Sequence, residues 1–135
     1  MSDQQIRQIL QDAKTIAVVG MANSPLRPSY GVAEYMQRQG YRIIPVNPTI
    51  EQSLGEKSYR SLRDIPSDIK IDIVDVFRRP DAVPDLVDTV IALKLPALWL
   101  QETVVNEAAA EKARQAGIFF VMDKCILKYH RRLLR

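Results

Sequence analysis

Arg27, Arg78, Arg79, Asn47 and Gln101 are the residues of this 135-residue chain best suited to hold a phosphate or a nucleobase. A guanidinium pairs with phosphate oxygens through two parallel N–H bonds. A carboxamide offers a donor and an acceptor side by side. Each of these residues follows an apolar, β-branched run. Arg27 comes after Thr15-Ile16-Ala17-Val18-Val19-Gly20, and Asn47 after Tyr41–Val46. Arg78 and Arg79 follow Ile71–Phe77, and Gln101 follows Ala97–Leu100. Such runs read as buried parallel strands. In open α/β sheets, ligands bind outside the carboxyl ends of the strands, where the strand order reverses. That rule selects Gly20–Tyr30, Val46–Pro48, Phe77–Pro80 and Gln101–Thr103.

Gly20 has two readings. The chain turns sharply there and approaches a ligand closely, with a phosphate held at the N-terminus of the helix that follows; or it is a plain strand-ending turn. The G-x-G-x-x-G fingerprint is absent, since Gly20 and Gly31 are the only glycines nearby. At the end of the second strand, NAD-binding proteins place an Asp or Glu for the ribose. Here the residues are Val46-Asn47-Pro48, which counts against a nicotinamide dinucleotide. Arg78-Arg79 stand at a helix entrance, where cations oppose the helix dipole. An anion lying there resolves the conflict and gives at least one of them a ligand role; the other reading is a solvated pair.

Other polar residues do not assemble. Asp72 and Asp75 are three apart on a strand, so they face opposite sides and make no carboxylate pair; structural or edge roles are expected. Cys125 and His130 are five apart on a helix, about 140° round the axis, and form no dyad. No catalytic group and no metal site are expected, because the chain has one His and one Cys. Lys124, Lys128, Arg131 and Arg135 form a basic stripe on the last helix. Without interleaved aromatic residues it reads as a solvated face rather than a nucleic-acid surface.

The elements that must position these groups alternate. Ser2 and Gln5 form a capping box for a first helix ending near Lys14, with Ile6, Ile9, Leu10 and Ala13 on one face. Ser29 is expected to cap a helix to about Gln39, with Val32, Tyr35 and Met36 inward and Gly40 as its stop. Residues 49–69 read as a loop, with a short edge strand near Tyr59. Asp81 is expected to cap a helix whose Val83, Leu86, Val87 and Val90 face the core. Asn106 is expected to cap a helix with Ala109, Ala113 and Ala116 against the sheet. Ile118–Met122 reads as the last strand, and Asp123 as the cap of a final helix. Five or six strand–helix repeats predict a single α/β domain over residues 1–135. Its form is a doubly wound, mostly parallel Rossmann-type sheet with helices on both faces.

Composition agrees. The net charge of +3 tolerates an anionic ligand but lies far from dedicated nucleic-acid binders. A single cysteine excludes an internal disulfide and fits the cytoplasm. No apolar stretch is long enough for a signal peptide or membrane span.

The segments together resemble the small stand-alone CoA-binding proteins related to the N-terminal domain of the succinyl-CoA synthetase α subunit. The resemblance is carried by Val18-Val19-Gly20 with Pro25-x-Arg27-Pro28-Ser29-Tyr30, and by Gly40-Tyr41-x-Ile43-Ile44-Pro45-Val46-Asn47-Pro48. It extends through Gly55-Glu56 with Tyr59, Ser61 and Leu62, and through Asp72–Pro80, Trp99-Leu100-Gln101 and Val121-Met122-Asp123-x-Cys125-Ile126. It implies noncovalent binding of CoA or acyl-CoA. The implied site is Gly20, Met21, Ala22, Asn23, Arg27, Ser29 and Tyr30, then Val46, Asn47 and Pro48, then Phe77, Arg78, Arg79 and Gln101. Ala22 stands where relatives often have Ser, Glu102-Thr103 replaces an apolar-Gly pair, and Lys124 replaces Arg. A small-molecule CoA thioester is the implied partner, with no nucleic acid or membrane and with the protein partner open. Two alternatives remain: an NAD(P)-binding oxidoreductase or redox-regulatory protein, and a docking module of a larger acyl-transfer complex.

Overall fold

The computed structural model describes residues 1–134. Helix α1 (Asp3–Asp12) opens on the capping box, with Ser2 Oγ accepting the Gln5 N–H and the Gln5 side chain reaching back to the Ser2 N–H. Strand β1 (Thr15–Val19) follows, then helix α2 (Pro28–Arg38) and strand β2 (Arg42–Val46). Residues read as a loop instead contain a hairpin, β3 (Gln52–Ser53) and β4 (Glu56–Lys57). Its Leu54-Gly55 turn has φ of 53° and 77°, the handedness that matches a type I′ hairpin. Strand β5 (Ile73–Val76), helix α3 (Val83–Ala92), strand β6 (Ala97–Leu100), helix α4 (Glu107–Gln115), strand β7 (Phe119–Val121) and helix α5 (Ile126–Leu134) complete the chain.

The five-stranded sheet has the order β2-β1-β5-β6-β7, and every pairing is parallel. The order reverses at β1, which has β2 on one side and β5 on the other. Side chains alternate between two cores. Ala17, Val19, Val74, Val76, Leu98 and Leu100 pack with α3 and α4. Ile16, Val18, Ile73, Trp99 and Val121 pack with α1, α2 and α5. The expected doubly wound α/β sheet is therefore present. One crossover departs from strict alternation: the chain passes from β2 to β5 through the hairpin and a single 3-10 turn, Leu62–Asp64, with no α-helix.

Several expected caps lie elsewhere. Helix α2 starts two residues earlier than expected, with Pro28 in its first turn and Arg27 as an N-cap that makes no side-chain bond. Proline suits that place because its missing N–H would have no helical partner. Ser29 is thus inside the helix and buried, its Oγ accepting the Ala22 N–H at 2.9 Å. Asp81 lies in a 3-10 turn, Pro80–Ala82, and α3 begins after it at Val83. Asp123 has a φ of 59° and turns its carboxylate to the Thr103 N–H, 2.7 Å away, which ties the end of β7 to the loop after β6. Asn106 does cap α4, accepting the Ala109 N–H at 3.0 Å. On that helix Ala110, not Ala116, joins Ala109 and Ala113 in the core, because the helix ends at Gln115 and leaves Ala116 exposed. On α2, Ala33 and Met36 are the buried pair, with Val32 and Tyr35 half-buried beside them.

Asp75 is not at an edge. It lies in β5, the central strand, and is 2% exposed. Asp72 has the structural role, its carboxylate accepting the Lys14 and Thr15 N–H groups at 2.9 and 3.0 Å. Among the described residues no helix is long and apolar enough to cross a membrane.

Candidate functional site

The carboxyl ends of β1, β2, β5 and β6 open onto three adjoining cavities that share Arg78. The largest, about 490 Å³, lies between the start of α2 and the start of α5. Pro28, Val32, Phe77, Val104 and Cys125 make it apolar, and Gln101 supplies its buried amide. A second, about 170 Å³, lies over the ends of β1 and β2 against Val19, Val46, Pro48, Leu62 and Leu86. Arg60, Arg63 and Arg78 surround it. A third, about 380 Å³, is lined by Arg78 and Arg79 but also by Asp81 and Asp85, which suits an anion less.

Arg60 and Arg63 come from the stretch read as a loop. They reach the site because Tyr59 pairs in parallel with Val46. The Tyr59 N–H donates to the Pro45 carbonyl at 3.0 Å, and the Asn47 N–H to the Tyr59 carbonyl at 2.9 Å. The chain then runs on beside β2, in the same direction, past the carboxyl end. Arg60, Arg63 and Arg78 make no salt bridge among the described residues. Arg79 has an exposed contact with Asp81, 3.7 Å away, which holds little energy in water. The second cavity is therefore apolar-walled and ringed by unneutralised cations.

The loop after β1 is held from three sides. Asn47 Nδ2 donates to the Met21 carbonyl at 2.9 Å, Ser53 Oγ donates to the Ala22 carbonyl at 2.8 Å, and Ser29 takes the Ala22 N–H. Met21 is fully buried. Asn47 Oδ1 accepts both the N–H and the hydroxyl of Thr49, so the oxygen and one of the two Nδ2 hydrogens are engaged within the protein. The N–H groups of Asn23, Ser24 and Ser29 make no hydrogen bond among the described residues. Ser29 is in the first turn of α2, where a helix leaves donors open to an anion, and Asn23 and Ser24 lie in the loop before it.

The structure thus gathers Phe77, Arg78, Arg79 and Gln101 on the first cavity, and Val46, Pro48 and Arg78 on the second. Gly20 backs the junction, against the Phe77 carbonyl and the Arg78 side chain. Met21, Ala22 and Asn47 form the scaffold beneath. Asn23, Arg27, Ser29 and Tyr30 line none of the three cavities, and Arg27 is exposed. Cys125, just ahead of α5, lines the first cavity, whereas His130 lies within α5 with Nδ1 3.0 Å from the Tyr35 hydroxyl. Of the basic stripe, Lys128 pairs with Glu102 at 3.1 Å, and Arg135 lies outside the described residues. Gln101 Nε2 donates to Asp75 Oδ1 at 2.6 Å, and burial pushes the Asp75 carboxyl up to about 7.

The sequence between β1 and α5 matches a family model described as the CoA binding domain, over residues 14–131. The chain belongs to the CoA-binding domain family. Within this family setting it is 43% identical over 129 residues to an uncharacterized Bacillus subtilis protein, YneT, covering 96% of this chain and 94% of YneT. It is also 36% identical over 62 residues to the α subunit of an ADP-forming acetate–CoA ligase from Pyrococcus furiosus. That match covers 45% of this chain and only 14% of the ligase subunit. Among solved structures, a hypothetical protein from Pyrococcus horikoshii superposes with a TM-score of 0.94 at 38% identity, covering 100% of this chain and 94% of that one. The cavities described above therefore sit in a CoA-binding domain, and the chain spans nearly the whole length of YneT and of the Pyrococcus horikoshii protein but a small part of the ligase subunit.

Proposed function

We propose that this protein binds CoA or an acyl-CoA noncovalently, as a stand-alone cytoplasmic binding protein that senses, carries or delivers thioesters without chemistry of its own. The observation that carries this is the second cavity: an apolar slot ringed by Arg60, Arg63 and Arg78, none of them neutralised among the described residues. An adenine lies there against Val46, Pro48 and Leu62, with its phosphates among the arginines and facing the open N–H groups at the start of α2. The first cavity, reached past Arg78, takes the thiol-bearing arm against Phe77 and Val104, with Gln101 as the polar contact. The family supports the ligand class, and the free Cys125 fits a reducing compartment.

Calorimetric titration with CoA, acetyl-CoA, NAD and NADP tests the reading. CoA and acetyl-CoA are expected to bind and the nicotinamide dinucleotides to stay silent. Binding of NAD with CoA silent overturns it.

A further inference from the structure

Gln101 has a divided amide. The residue is 5% exposed, its Nε2 is spent on Asp75, and its Oε1 has no hydrogen-bond partner among the described residues while the side chain lines the first cavity. Among the described residues no side-chain polar atom is both sealed off and unpaired, so this oxygen is open to solvent on the cavity side, where a ligand donor can take the place of water. Beneath it, Asp75 is 2% exposed in the central strand. Its strand neighbours are Val18 and Trp99, and among the described residues no cation compensates it.

We propose that Asp75 is the positioning residue of this cavity: its carboxyl decides which edge of the Gln101 amide faces the ligand. An ionised carboxylate only accepts, so it holds Nε2 and leaves Oε1 toward the cavity. A protonated carboxyl donates, and its best partner is Oε1. A half-turn about the terminal torsion of Gln101, which is two-fold, then brings the NH₂ group to the cavity. The ionised state selects a ligand N–H, as in a secondary amide of an extended arm; the protonated state selects a carbonyl. This deepens the reading of a CoA site, on which its ligand half rests.

Burial raises the Asp75 carboxyl to about 7, against the opposing bonds from Gln101 and the Val76 N–H, so the exchange falls in the neutral range. Charged ends on α1, α2 and α5 stay at the surface, as with Arg7, Arg38, Lys128 and Arg131, and Glu34 pairs with Arg38. The titratable groups turned inward on that side are Tyr35, Tyr41, Cys125, Tyr129 and His130. The groups that act on Asp75 are Gln101 and the Val76 N–H, and His130 Nδ1 lies 3.0 Å from the Tyr35 hydroxyl. On the cavity wall, Glu102 pairs with Lys128 and Arg79 with Asp81, leaving Arg78 as the unpaired charge.

Two measurements decide it. In the free protein, carbon-detected NMR of the Asp75 carboxyl and the side-chain NH₂ signals of Gln101 are followed from pH 5 to 9. Both are expected to move with one midpoint. An Asp75 carboxyl that does not titrate in this range, or a Gln101 amide that stays constant while it does, overturns the proposal without any ligand or variant. Calorimetry then compares CoA binding at pH 6 and pH 8.5 in the parent and in Asp75→Asn, which carries the same titration of the ligand itself. The parent is expected to bind about tenfold more weakly at pH 6, the scale of one unmade buried hydrogen bond, and Asp75→Asn to lack that difference. An equal pH dependence in both overturns the ligand half. If CoA binds at neither pH, the CoA reading fails, and the NMR result still decides the Asp75–Gln101 coupling.

Discussion

Gly20 and Phe77 are in backbone contact: a Cβ at position 20 would overlap the carbonyl oxygen of Phe77. The tips of β1 and β5, 57 positions apart in the chain, therefore close on each other where the strand order reverses. The Gly20 φ of +83° adds a second reason for glycine at this place.

Gly20→Ala is expected to destabilise the protein by ~2–4 kcal/mol, from left-handed backbone strain together with overlap against a backbone atom that cannot swing away. Gly40 also has a positive φ but would meet nothing within 4 Å, so Gly40→Ala is expected to cost only about 1 kcal/mol. Thermal unfolding of the pair checks this. Equal losses would mean that contact with Phe77 adds nothing to the strain.

Arg78 touches all three cavities, whereas Arg27 touches none. Arg78→Ala is expected to weaken CoA binding by about tenfold or more, with unfolding unchanged, since the side chain is exposed and unpaired. Arg60→Ala and Arg63→Ala are expected to weaken it by smaller factors, and Arg27→Ala least. Titrations at two salt concentrations measure the ranking, because losing a phosphate contact flattens the salt dependence.

Cys125 forms part of the wall of the first cavity and is 8% exposed. Saturating CoA is expected to slow its alkylation by iodoacetamide severalfold, and NAD to leave the rate unchanged. Mass spectrometry against time gives both rates. Equal labelling with and without CoA would remove the ligand arm from this cavity.

Asp75 makes stability depend on pH in a defined direction. Between the ordinary carboxylate value of 3.8 and the folded value of about 7, the folded protein keeps a proton that the unfolded chain has released. Its contribution is thus fully present at low pH and is lost as pH rises through about 7. The loss is on the order of 2–4 kcal/mol. Asp75→Asn holds no charge and keeps an acceptor for Gln101. It is expected to unfold at a higher temperature than the parent at pH 8 and to show a flatter profile between pH 5 and 8. A parent whose stability rises over that range would contradict a proton held on Asp75.

Much of the fold was legible because it rests on local rules. The apolar runs mark the five parallel strands, since a strand buried on both faces has no polar alternation. Ser2 with Gln5, and Asn106, cap their helices through bonds that span three residues. The strand ends named as ligand segments follow from parallel alternation alone. Ser29, Asp81 and Asp123 depart from the local rule for a related reason: each has a capping side chain within a few residues of a helix. The proline positions and the course of the loops gave each of them another place.

The amino-acid sequence by itself determined a parallel α/β sheet with polar groups gathered at its carboxyl ends. Only the tertiary structure decided which of those groups are free to meet a ligand. Asn47 and Gln101 are both carboxamides at strand ends. Yet the first spends its oxygen on Thr49 and one N–H on Met21, and the second keeps its oxygen open above Asp75. Arg60 and Arg63 enter the site only through the pairing of Tyr59 with Val46. Hydrogen-bonding capacity belongs to the residue type, but its use depends on which distant segment arrives beside it, and that is settled by packing across the whole sheet.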